Sequence, residues 1–136
     1  MKYTTKRLRK VCDKLLSVLN SISEEKVYAP TFDKWSIKDS VAHINGWNIQ
    51  RVVDLENILS GEEMKKIDDF DAFNEVSVSE RKEYDWSYIL KEYVDSCEKM
   101  IESFEKVPGE MFNDPIWTGS SLTIQKLLEI DTNHIE

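Results

Sequence analysis

Residues 36–61 read SIKDSVAHINGWNIQRVVDLENILSG, and this stretch decides the fold. Ser36 is a good helix N-cap, and the side chain of Asp39 can reach back to its backbone amide. Asp39 also lies in the first turn, where the helix dipole favours negative charge. Ile37, Val41, Ile44, Val52, Leu55 and Leu59 then recur at helical spacing and form a core stripe. Gly61 follows the last of them, at a position where glycine commonly ends a helix. A helix is predicted from Trp35-Ser36 to Gly61.

The same pattern recurs on both sides. Leu8, Val11, Leu15, Leu19 and Ile22 draw one apolar stripe along a helix from about Thr4 to Ile22. Residues 24–34 contain Ala29-Pro30 and little periodicity, and read as a loop. Residues 62–82 are polar and acidic, with Ile67, Phe70 and Phe73 as isolated anchors; a short helix or a packed loop fits them. Asp85 can cap a third helix from Trp86 to about Lys106, with Trp86, Leu90, Tyr93, Cys97, Met100 and Phe104 as its stripe. Pro108-Gly109 ends it. After a turn-rich loop over 113–120, a fourth helix starts near Ser121 and carries Ile124, Leu127, Leu128 and Ile135 on one face. Four one-sided helices bury themselves most simply as a bundle. The expectation is an all-α, four-helix bundle with a longer crossover between helices two and three, and 1–136 as a single domain. The chain holds only 4 glycines and 3 prolines, few for the turns of an all-β domain of 136 residues.

Charge and cysteine content narrow the function. With 18 basic and 26 acidic residues the net charge is −8, which argues against nucleic acid and anionic membranes as partners. Lys2, Lys6, Arg7, Arg9, Lys10 and Lys14 crowd the N-terminus as a local exception, read as one solvated face of the first helix. Cys12 and Cys97 are far apart and fall in apolar patterns, so they read as buried packing thiols. No secretory segment or long apolar run is evident, and a cytoplasmic location is expected.

Two histidines, His43 and His134, are the residues most suited to chemistry. On a helical wheel His43 lies nearly opposite the stripe of Val41, Ile44, Val52 and Leu55, and near Trp47, Gln50 and Asp54. An aromatic beside a histidine on a second face suggests a groove wall; the plainer reading is an exposed histidine beside a tryptophan that packs on a loop. Asp131 and His134 are three apart and share a helix side. They could bind one divalent metal, Asp131 could orient the ring, or the two could simply pair at a helix end. No GxSxG elbow, CxxC pair or Gly-rich phosphate loop is present.

The segment Lys34-Trp35-Ser36-Ile37-Lys38-Asp39-Ser40-Val41-Ala42-His43-Ile44-Asn45-Gly46-Trp47 resembles the W-S-x-K-[DE]-x-x-A-H-[LI]-x-x-W stretch that opens helix two of the DinB/YfiT-like superfamily. Its Lys38-Asp39 and Gly46-Trp47 details are most similar to the ClbS/DfsB-like branch. Asp71 to Glu75 resembles an Asn-containing connection of such proteins, and Thr123 to Glu136 resembles their last bundle helix, which carries an H-x-x-x-H pair. The resemblance implies a divalent metal (zinc, nickel, manganese or iron) held by one histidine of helix two and two of the last helix. His43 takes the first place and His134 the second. The third falls four residues after His134, beyond Glu136: either the given sequence stops short of it, or the third ligand is missing, or Asp131 or Glu136 substitutes. The implied function is a metal-dependent small-molecule hydrolase or thiol transferase of the stress or detoxification type, with Trp47 and Gln50 lining the substrate pocket. The alternative is a bundle that binds or sequesters a small ligand with a degenerate metal site. Assembly as a homodimer stays open.

Overall fold

Why each helix begins and ends where it does is visible in its caps. The computed structural model describes residues 2–29, 35–62, 67, 69–111 and 123–135. Its helices are α1 (Lys2–Asn20), α2 (Glu24–Val27), α3 (Ile37–Leu59), α4 (Phe70–Glu80), α5 (Trp86–Glu105) and α6 (Ile124–Ile135), with one 3-10 turn at Gly109–Met111. The expected capping box opens α3: the Asp39 amide donates to Ser36 Oγ at 3.1 Å, and the Ser36 amide donates to Asp39 Oδ2 at 3.2 Å. At the far end Gly61 takes φ +88°, which only glycine adopts without strain. The Gly61 amide donates to Ile58 O and the Glu62 amide to Asn57 O, the paired bonds of a Schellman stop. Asp69 and Asp85 cap α4 and α5 by accepting from the amides of Ala72 and Tyr88. Thr123 Oγ1 accepts from the Lys126 amide and starts α6, whereas the expected start at Ser121 lies outside the described residues.

The four long helices expected from periodicity are α1, α3, α5 and α6. One segment differs: the predicted 24–34 loop contains the single turn α2. The crossover holds the short helix α4, one of its two expected forms, packed against α3. The 113–120 loop lies outside the described residues. α3 lies mainly against α5, and α1 lies against α5 and α6. Leu8, Leu55, Ile89, Met100, Phe104 and Leu128 are fully enclosed where these faces meet. Each such side chain contributes roughly 1.5–3 kcal/mol through burial. Cys12 and Cys97 are buried free thiols in this core, and Tyr93 Oη donates to Cys12 O at 2.9 Å.

The inner face of α3 is more polar than its apolar stripe predicted. Val41 and Leu55 are buried, but Ile44 and Val52 are only half-buried and Leu59 is exposed. Asn45, Asn48, Arg51 and Asp54 are buried instead. The reason is that α3 is flanked on several sides, so polar groups are enclosed wherever a neighbour can satisfy them. Asn45 Nδ2 donates to Ile89 O and Glu92 Oε1, and Asn48 Nδ2 donates to Ser96 Oγ at 3.2 Å. Among the described residues no helix is long and apolar enough to cross a membrane.

Candidate metal centre

His43 sits in the second turn of α3 and His134 in the last turn of α6. Their Nε2 atoms lie 3.1 Å apart, with ring centroids 5.0 Å apart and planes at 81°. His43 Nδ1 lies 2.8 Å from Ser40 O. A carbonyl can only accept, so Nδ1 carries the proton and the neutral ring turns its Nε2 lone pair toward His134. Burial lowers the pKa of His43, although its bond to Ser40 acts the other way. Desolvation by the surrounding protein also lowers His134, and the nearby His43 and Arg51 lower it further. Both rings are thus held neutral, the form that can donate a lone pair to an ion.

The separation suits a shared ion. Two imidazole nitrogens each about 2.0–2.1 Å from one divalent metal stand close to this distance from one another. The fit rests on two nitrogens only. Among the described residues no group of three His, Cys, Asp or Glu side chains is gathered around one point. Glu136, an expected substitute ligand, lies outside the described residues.

Asp131, the other expected substitute, is engaged elsewhere. Arg51 Nε donates to its Oδ2 at 2.7 Å and Arg51 Nη2 to its Oδ1 at 3.1 Å. Arg51 Nη1 donates to Asp54 Oδ2 at 2.9 Å, and Gln50 Nε2 donates to Asp54 Oδ1 at 2.9 Å. Arg51, Asp54 and Asp131 are all buried. Desolvation raises the pKa of both carboxyls against the pull of Arg51. Burial pulls the guanidinium down, but Asp131 and Asp54 together hold it above its ordinary value. So Asp131 is drawn into an ion pair with a cation that the sequence reading overlooked. A signal existed: Arg51 falls on the α3 stripe between Ile44 and Leu55, and Asp131 follows Leu127 and Leu128 on α6. Opposite charges on two apolar stripes point to a buried pair.

Trp47 and Gln50 also differ from their expected role as pocket lining. Trp47 packs against Phe73 and Phe70 at centroid distances of 4.1 and 5.6 Å, and its Nε1 donates to Asn74 Oδ1 at 2.6 Å. It anchors α4, because the crossover folds back over this face. Gln50 is turned to Asp54. The aromatic beside the histidines is Trp35, whose ring centroid lies 5.1 Å from that of His43. A groove of about 260 Å³ between α3 and α5 is lined by Ile49, Tyr88 and Glu92 among others, and neither histidine borders it.

Comparison with known proteins agrees with the helical bundle fold. A family model described as the DinB superfamily matches residues 7–135. No curated protein matches the sequence. The crystal structure of the colibactin self-resistance protein ClbS in complex with a dsDNA superposes with a TM-score of 0.84, at 13% identity, over 98% of this chain and 87% of that one. That structure overturns the exclusion of nucleic acid drawn from net charge. A bundle of this fold has been captured with duplex DNA, and a net charge describes the far field, not a local contact face.

Proposed function

Since the chain belongs to the DinB superfamily, we propose that it is a cytoplasmic metal-dependent enzyme acting on a small molecule, as a hydrolase or thiol transferase of the stress or detoxification type. The observation that carries this reading is the 3.1 Å approach of two neutral imidazole nitrogens from α3 and α6. A divalent ion such as zinc, nickel, manganese or iron, when bound, supplies a Lewis acid that makes water or a thiol nucleophilic near neutral pH.

The chain's own residues would serve that chemistry in separate ways. Without an ion, His134 Nε2–H donates to the His43 Nε2 lone pair; to hold an ion together, His134 would carry its proton on Nδ1 so that both Nε2 atoms could act as donors to it. The Ser40 carbonyl fixes the His43 tautomer and prevents the ring from turning. Trp35 gives the site an apolar wall for the non-reacting part of a substrate. Chelator-sensitive turnover of model esters, amides or thiol adducts, abolished in His43→Ala and His134→Ala, is the expected result. Ligand binding that survives chelator, with no turnover, would favour the sequestering alternative.

A second reading, contact with duplex DNA, is supported by the exposed face of α1 and by the dsDNA in the ClbS structure. Lys6, Lys10 and Lys14 recur every four residues along α1 and are all exposed. Cations in such a row can follow a phosphate backbone without reading sequence. Charge reversal at these three positions should weaken duplex binding and flatten its salt dependence by about one slope unit per lysine. Unchanged binding by the reversed variant would remove this reading.

A further inference from the structure

The two imidazoles meet although α3 lies chiefly against α5 and α4, while α6 lies against α1. Their meeting therefore depends on what spans the space between α3 and α6. The Arg51–Asp131 pair does so with its side chains 8% and 11% exposed. We infer that this buried bridge, braced by Asp54, is the positioning element that sets how far apart and in what orientation His43 and His134 stand. The inference rests on the reading of these rings as a donor pair.

The geometry supports it in three ways. First, the contacts 43 with 134 and 51 with 131 tie α3 to α6 at two points in antiparallel order, so a shift of either helix would disturb both. Second, the bridge is two-pronged. A planar guanidinium bound through Nε and Nη2 fixes the rotation of the carboxylate as well as its distance. Asp131 and His134 share a side of α6, so the orientation of one carries to the other. Third, the guanidinium is itself held from behind. Asp54 takes Nη1 and is in turn held by Gln50, so Arg51 has little freedom to swing.

Arg51→Lys keeps the charge and loses the fork. A triple variant, R51M/D54L/D131L, replaces the whole cluster with apolar groups, a kind of exchange that buried ion pairs often tolerate without loss of folding. In the zinc-free wild type, the ring protons of His43 and His134 should show a mutual nuclear Overhauser effect. The inference predicts its loss in both variants, with the helical circular dichroism of the triple variant retained. Zinc affinity should fall roughly tenfold or more, the usual cost of removing an outer-shell partner. A folded variant that keeps both the ring-to-ring signal and wild-type zinc affinity would overturn the inference. If the wild type binds no zinc, the metal reading fails by itself, and the ring-to-ring signal still decides the role of the bridge.

Discussion

Gly46 on α3 lies directly under Ser77 on α4: a β-carbon at position 46 would stand 2.7 Å from Ser77 Cβ, and nearer still to Ser77 Oγ. This contact explains why α4 can lie so close to α3. Gly46→Ala should destabilise the bundle by about 1–3 kcal/mol, the usual range for overpacking. A urea midpoint measures it, and adding Ser77→Gly should recover part of the loss. An unchanged midpoint for Gly46→Ala would mean that α4 sits farther from α3.

Trp47 and Asn74 should behave as one unit. Removing Asn74 leaves the half-buried indole N–H of Trp47 without its acceptor. Asn74→Ala is expected to cost about 1–3 kcal/mol and to red-shift the Trp47 emission as α4 loosens. The other tryptophans would first be replaced by phenylalanine so that Trp47 reports alone.

The two thiols should be inert in the folded protein. Cys12 is 3% exposed and Cys97 5%. A thiol reagent should label neither under native conditions and both in denaturant, since reaction needs an accessible thiolate. Labelling that keeps pace with a small free thiol would contradict the packing described.

Stability should fall as the solution is acidified through the imidazole range. His43 and His134 have folded pKa values below the ordinary 6.5, so the unfolded chain takes up protons first. Their contribution is complete above about pH 6.5 and is lost as the pH falls toward the folded values. Asp54 and Asp131 act with the opposite sign, because their folded pKa values are raised above the ordinary 3.8 and they favour the folded state at lower pH. Replacing both histidines with glutamine should flatten the pH dependence of the melting temperature between neutrality and the lower range. A slope that persists in that variant would place its origin elsewhere.

Much of this molecule was legible in its sequence, and the remainder has definite physical causes. Ser36, Asp39, Asp85 and Gly61 mark helix ends through local hydrogen bonding, which needs no knowledge of the fold. His43 and His134 could be named because histidine is rare here and each lies on a regular helix. Periodicity alone could not separate Ile44 from Arg51, since both fall in one sector of α3, and which is enclosed depends on neighbours distant in sequence. The three-residue spacing puts Asp131 on the same helix side as His134 but leaves open whether it binds metal, orients the ring or pairs with it; its partner, Arg51, comes from α3. The sequence leaves Trp47 open between a groove wall and packing on a connecting segment, and its neighbours Phe70, Phe73 and Asn74 on α4 decide for the second. Asn74 lies on α4, a helix whose sequence has weak apolar patterning and is held in place by Gly46 and Trp47.

The central claim is that His43 and His134 act together as donors to one divalent ion. Zinc titration of the wild-type chain, His43→Ala and His134→Ala near neutral pH, followed by calorimetry, tests it most directly. The account predicts one ion per chain in the wild type, with binding abolished by either substitution. Absence of binding in the wild type, or equal binding in all three proteins, would contradict it.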